Sequence, residues 1–163
     1  MAVRTDPRDV NLGDERVVRI NRTSATVKGG RRFSFSAIVV VGDEQGTVGW
    51  GMGKAREVPL AVDKGVRNAR KALWRIPLSH RTLPHEIEGK FGPSKARLIP
   101  AAPGTGIIAG ATVRAVLEAA GVQDVLTKCY GSNNALTLVQ ATFDGLLSLR
   151  SKQEIQQLRG VRI

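Results

Sequence analysis

The sequence has few of the residues from which catalytic centres, metal sites and disulfides are built. Its single cysteine, Cys129, excludes a disulfide within the chain and a cysteine-rich zinc site. The two histidines, His80 and His85, supply too few ligands for a metal centre. No nucleophile–base pair and no paired carboxylates can be argued from the spacing. We therefore predict a protein that is not an enzyme and that holds no metal and no cofactor.

Long apolar runs are also missing. No segment approaches the roughly 20 apolar residues that span a bilayer, and residues 1–7 lack the apolar stretch of a signal peptide. Aromatic residues make up only 4% of the chain, so its 42% hydrophobic content must build a core from Ala, Val, Leu and Ile. These features predict a soluble cytosolic protein without membrane contact, folded as one medium domain or two small ones.

Acidic residues are absent where basic residues are most concentrated. The formal net charge is +11, and from Arg16 to Gly42 there are six basic residues and no acidic one. Adjacent Gly29 and Gly30 permit a tight bend in this stretch, because glycine reaches positive φ freely. The pattern predicts a hairpin whose cationic tip contacts nucleic acid. An exposed hairpin with solvated charges is the alternative.

Extended segments surround this bend. Residues 1–15 are polar and predict a mobile N-terminal arm. β-Branched residues then indicate strands at Val17–Val27, Arg32–Val41 and Thr47–Lys54, which short turns join into an antiparallel meander. We place all three strands in a first domain that covers residues 16–79.

The third strand carries glycine at every second position. Gly49, Gly51 and Gly53 leave one face of the strand without side chains. Glycine inside a strand usually marks close approach by another group, here a packed helix or an RNA backbone. Lys54 and Arg56 directly after the strand favour RNA.

A helix is predicted from Val58 to Ile76, with Pro59 in its first turn. One face is apolar, and the strands and helix together form a small α+β unit. We weigh RNA contact and plain solvation equally for the opposite, polar face, which carries Lys64, Arg67, Asn68, Lys71 and Arg75.

The second half begins again with strands and is predicted as a separate α/β domain over residues 80–150. The expected order is strands at 85–91 and 94–99, a stiff loop at 100–106, a helix at 111–120, a strand at 124–130 and a helix at 135–149. Residues 151–163 form a basic tail. The loop Gly104–Gly110 resembles a phosphate-binding loop only poorly, so we predict that it packs or contacts a partner and binds no small-molecule substrate.

Several motifs together resemble the signature of the small-subunit ribosomal protein S5 family in its bacterial form. The resemblance covers about residues 16–150 and is carried by Gly30–Ala37, Val41–Asp43, Gly46–Gly49, Gly51–Ala55, Arg56–Pro59, Gly104–Gly110 and Arg114–Glu118. It implies an α+β protein of two small domains. The first would resemble the double-stranded-RNA-binding fold, with a three-stranded antiparallel sheet and a helix, and the second would be the α/β sandwich of the family's second domain.

The resemblance also implies a function, that of a structural constituent of the small ribosomal subunit. Such a protein would bind small-subunit ribosomal RNA where head meets body, contribute to translational accuracy, and touch messenger RNA near the path by which it enters. Its protein partners would be small-subunit proteins four and eight. The segment Ala135–Thr137 departs from the family pattern. A free RNA-binding regulator or chaperone is the alternative function.

Two sets of residues follow as candidate contacts. A protein partner would meet the chain at Gly104, Gly106 and Arg114, and the resemblance implies that Gly106 and Arg114 belong to the interface with protein four. The ribosomal RNA would be bound by Arg19, Arg22, Lys28, Gly29, Gly30, Arg31, Arg32, Lys54, Arg56, Lys64, Arg67 and Lys71.

Overall fold

The first of two β-sheets is built from the N-terminal half of the chain. The computed structural model describes residues 3–6, 10 and 12–160. The sheet has the antiparallel order β1-β5-β4-β3-β2. Its strands are β1 Val3–Thr5, β2 Arg16–Val27, β3 Gly30–Gly42, β4 Thr47–Ala55 and β5 Leu73–Arg75. The predicted meander corresponds to β2, β3 and β4.

The helix predicted for residues 58–76 is shorter than expected. Helix α1 covers Val58–Arg70, and Lys71 follows as its C-cap. The chain then reverses, and Leu73 pairs with Gly49 at the free side of β4. Pairing with β4 therefore overrides the helical pattern of residues 73–76, and the prediction of a helix there is wrong.

Strand β1 lies within the segment predicted as a mobile arm. Val3–Thr5 pairs with β5, and the Arg4 guanidinium donates to the Lys71 carbonyl at 3.0 Å. The sequence pattern did not indicate this strand. The remaining arm residues 1, 2, 7–9 and 11 lie outside the described part of the chain.

The second sheet has the order β6-β7-β9-β8, with β8 parallel to β9. The elements of this half are β6 Ile87–Phe91, β7 Ser94–Pro100, β8 Ile107–Ile108, α2 Ala111–Ala119, β9 Val125–Gly131, α3 Ala135–Leu147 and α4 Lys152–Arg159. The short strand β8 was not predicted. We call the first sheet with α1 the first lobe, and the second sheet with α2 and α3 the second lobe.

The two lobes share a hydrophobic core. One face of β3 places Ala37, Val39 and Val41 against α1. The other face places Ile38 and Val40 in a cluster with residues of α2 and α3. The first sheet is thus buried on both faces where the lobes meet.

Backbone hydrogen bonds hold the joint between the lobes. The turn between β3 and β4 donates from Glu44 to the Ala119 carbonyl at 3.1 Å and from Gly46 to the Ala120 carbonyl at 3.0 Å. These carbonyls lie at the C-terminal end of α2, where a helix has no internal donors left for them. Arg16 adds ion pairs to Glu118 and, at 3.3 Å, to Glu44.

Candidate nucleic-acid interface

Strands β2 and β3 extend beyond the rest of the first lobe as a two-stranded ribbon, which we call the finger (residues 21–33). Every residue of the finger is exposed. Val27 pairs with Gly30, which leaves Lys28 and Gly29 at the tip. Gly30 has a φ of +131°, and a Cβ atom on Gly29 would meet nothing within 4 Å. The tip is therefore both sharply turned and open to close approach.

One face of the finger continues the side of the sheet that α1 covers. Phe35 packs on the α1 side, and alternation along the strand puts Phe33 and Arg31 on the same side. Arg22 pairs with Phe35, and its guanidinium carbon lies 4.6 Å from the centre of the Phe33 ring. This face thus presents Arg22 and Arg31 next to an aromatic ring.

The opposite face carries cations as well, Arg32 on the finger and Arg19 and Lys54 at its base. Arg19 pairs with Ile38, which points away from α1, after an irregularity in β2. Arg32 lies on this face by alternation, and Lys54 shares it because it pairs with Ser36 at the base of the finger. The predicted RNA-binding arginines are therefore divided between two faces and are not gathered on one.

The glycines of β4 lie beneath α1. A Cβ atom on Gly53 would be 1.9 Å from the Ala61 carbonyl oxygen, and one on Gly51 would be 2.3 Å from the Gly65 carbonyl oxygen. The group that approaches this strand is the helix, so the expectation that RNA lies there is wrong. Lys54 near the end of β4 and Arg56 just before α1 are exposed.

The predicted basic stripe of α1 is partly retained. Lys64 and Arg67 are exposed on the helix, and Lys71 is exposed at its C-cap. Arg75 leaves the stripe because it belongs to β5. None of the cations at 64, 67 and 71 forms an ion pair with another described residue.

Two of the residues predicted to meet a protein partner, Gly104 and Gly106, bind a buried carboxylate that the sequence did not single out. Asp124 Oδ1 accepts hydrogen bonds from the amides of Gly104 at 3.0 Å and Gly106 at 2.9 Å. The side chain of Asp124 is only 3% exposed, and Arg81 Nε lies 3.7 Å from its other oxygen. Arg114 donates to the Ile107 carbonyl at 3.0 Å and stays exposed. No local pattern in the sequence marks Asp124, because the strand that follows it is mostly exposed or half-buried.

Groups able to carry chemistry are sparse among the described residues. No cluster of three or more His, Cys, Asp or Glu there is placed to hold a metal ion. Burial raises the pKa of the Cys129 thiol, while the neighbouring charge of Lys128 opposes that rise. No helix in the described ranges has the length and apolar character required to cross a bilayer.

Comparison with known proteins gives matches along most of the chain. The family model described as "Ribosomal protein S5, N-terminal domain" matches residues 13–77, and "Ribosomal protein S5, C-terminal domain" matches residues 89–159. A curated protein of Chloroflexus aurantiacus is 56% identical over 156 residues, covering 96% of this chain and 87% of its own length. One of Rhodopirellula baltica is 53% identical over 147 residues, with coverages of 90% and 83%. Both relatives carry the name small ribosomal subunit protein uS5.

Proposed function

Since the chain belongs to the ribosomal protein S5 family, we propose that it anchors itself through the finger to small-subunit ribosomal RNA where head and body meet. The chain is a structural, non-enzymatic protein of the small ribosomal subunit. The observation that carries the proposed anchor is the presence of cations on both faces of an exposed ribbon. A single flat anionic surface would neutralise only one of these faces.

Binding partners on both faces would stabilise the finger further. A two-stranded ribbon is at best marginally stable in water, and the positive charges of this one repel each other because no acidic residue lies within it. Insertion between two RNA segments gives each face phosphates to bind. Such contacts fix position and orientation, and the shape of the folded RNA supplies much of the selectivity.

The exposed stripe at Lys64, Arg67 and Lys71 supports a second, weaker RNA contact. None of its cations forms an ion pair with a described carboxylate, so they are available to bind phosphates. Lys54 and Arg56 lie between this stripe and the base of the finger along the chain. We propose that they extend the same contact.

The second lobe would face other proteins. Gly104 and Gly106 lie on a loop that Asp124 holds in place, and Arg114 is exposed in the first turns of α2. We assign this surface to small-subunit protein four, and another part of the lobe to protein eight. Through these contacts and a position near the path by which messenger RNA enters, the chain would contribute to translational accuracy.

Salt-dependent binding tests the finger as the anchor. Lys28, Arg31 and Arg32 are changed together to Ala, and affinity for small-subunit ribosomal RNA is measured between low and physiological salt. Each lost phosphate contact removes roughly one unit from the slope of log affinity against log salt, so we expect a slope lower by about three. A triple change of Lys90, Arg150 and Arg159 to Ala removes the same charge from other exposed positions.

The control variant separates a local contact from a general effect of net charge. If both triple variants lower the slope equally, the finger is not the anchor. Sedimentation of cell lysate addresses the alternative of a free regulator, because a regulator would remain outside the ribosomal fractions.

A further inference from the structure

The second sheet has one edge that is left partly unpaired. Strand β9 pairs with β7 along its whole length, from Val125 to Gly131. On its other side β8 pairs only with Val125 and Leu126, and then the chain turns away into α2. Residues 127–131 of β9 therefore continue beyond the end of their neighbour.

The backbone groups at this edge can be assigned from the alternation of the strand. The Val125 amide donates to the Gly106 carbonyl at 3.1 Å, so Val125 faces the β8 side. Every second residue faces the same way, which places the backbone groups of Cys129 and Gly131 at the open edge. No described strand lies next to them there.

The opposite edge of the same sheet is protected. The amide of Lys90 on β6 donates to the Asp144 carboxylate at 3.0 Å, so a side chain occupies the place where another strand would add. Proteins commonly block free edges in such ways because an open edge pairs with other chains. The edge of β9 has no such side chain among the described contacts.

A cleft of about 370 Å³ lies along the open edge. Its lining includes Arg114, Lys128, Thr127 and Cys129 and no acidic residue. Gly110, at the start of α2, also lines it and provides no side-chain cap, and the first turn of α2 contains no acid. The cleft therefore combines unpaired strand edge with positive potential.

We propose that an extended, acidic segment of a partner protein adds to β9 as a strand in this cleft. Its backbone would pair with Cys129 and Gly131, and its acidic side chains would meet Arg114 and Lys128. The added strand specifies the kind of partner segment that would contact Arg114. Only its location depends on the protein contact proposed there under the proposed function. A peptide strand fits better than RNA phosphate, because a phosphate accepts hydrogen bonds and cannot donate to the Cys129 carbonyl.

Strand addition can be tested on the full chain in solution. The ¹⁵N-labelled protein is titrated with a blocked hexapeptide that alternates Glu and Val. Comparison peptides carry Lys in place of Glu, or Pro in place of the central Val. We expect the acidic peptide to shift the amide signals of Cys129 and Gly131 and to slow their hydrogen exchange. The Lys and Pro peptides should do neither, because one is repelled and the other cannot complete the ladder.

Charge reversal provides the matched variants. Lys128→Glu should weaken binding of the acidic peptide about tenfold, whereas Lys90→Glu, on the protected edge, should leave it unchanged. The proposal is overturned if the acidic peptide shifts the finger and not β9, if all three peptides bind alike, or if an RNA hairpin shifts Cys129 and Gly131 in its place. The absence of any shift at millimolar peptide has the same consequence.

The peptide titration and the salt-dependence experiment on the finger have independent outcomes. The triple finger variant should lose RNA affinity and still bind the acidic peptide. A finger that does not bind RNA would leave the peptide result intact, and the converse also holds.

Discussion

A Cβ atom placed on Gly42 would lie 2.0 Å from the carbonyl oxygen of Ala119. This contact lies where the turn between β3 and β4 approaches the C-terminal end of α2, next to the hydrogen bond from Glu44 to the same carbonyl. The backbones of the two lobes therefore touch without any side chain between them. Only glycine at position 42 allows that separation.

Gly42→Ala should loosen the joint between the lobes. The added methyl group meets backbone, which cannot rotate away, so we expect the free energy of unfolding to fall by about 3 kcal/mol. Urea unfolding followed by circular dichroism measures this change. Gly29→Ala is the control, because its Cβ meets nothing within 4 Å, and it should change stability by no more than about 0.5 kcal/mol.

Gly53→Ala should lift α1 from the sheet. The new methyl group would lie 1.9 Å from the Ala61 carbonyl oxygen in the first turns of the helix. We expect a loss of about 3 kcal/mol in stability and faster amide hydrogen exchange along α1. Exchange along α3, in the other lobe, should change much less, and an unaltered α1 would contradict the packing described here.

Asp124→Ala should release the loop before β8. The amides of Gly104 and Gly106 would lose a buried acceptor, which costs about 2–4 kcal/mol for the pair. Asp124→Asn keeps one oxygen acceptor and should cost about half as much. Thermal unfolding gives the stability, and amide exchange at the two glycines reports the loop. Equal effects of Ala and Asn would show that the two hydrogen bonds are not the cause.

Cys129 should react slowly with alkylating reagents. The thiolate is the reactive form, and burial raises the pKa of this thiol, so less of it is ionised at a given pH. At pH 8 we expect iodoacetamide to modify the folded chain at least about tenfold more slowly than the chain unfolded in guanidinium. Lys128→Glu should slow the reaction further, because Lys128 lowers the pKa. Similar rates in both states would contradict the burial.

Local patterns predicted the elements whose neighbours are close in sequence. The strands β2, β3 and β4 were predicted because β-branched residues and short turns mark them. Strand β5 was missed because Leu73 continues the apolar pattern of α1. Its pairing with Gly49 depends on the tertiary fold, which no local pattern contains.

The candidate sites also combine features that are visible in the sequence with features that depend on the tertiary fold. The cations of the finger are visible as an acid-free stretch, but their distribution over two faces requires the register of β2 against β3. Asp124 binds amides 18 and 20 residues before it in the chain. Its isolated carboxylate resembles many surface acids in the sequence, so its burial could be recognised only in the fold.

The joint between the lobes, where the β3–β4 turn meets the end of α2, has a consequence for assembly. Because main-chain hydrogen bonds and a common core fix the lobes, the direction of the finger and that of the β9 edge are set when the chain folds. The angle between these two binding surfaces is therefore fixed before the protein meets its partners. Binding of the finger would then also orient the β9 edge toward its partner.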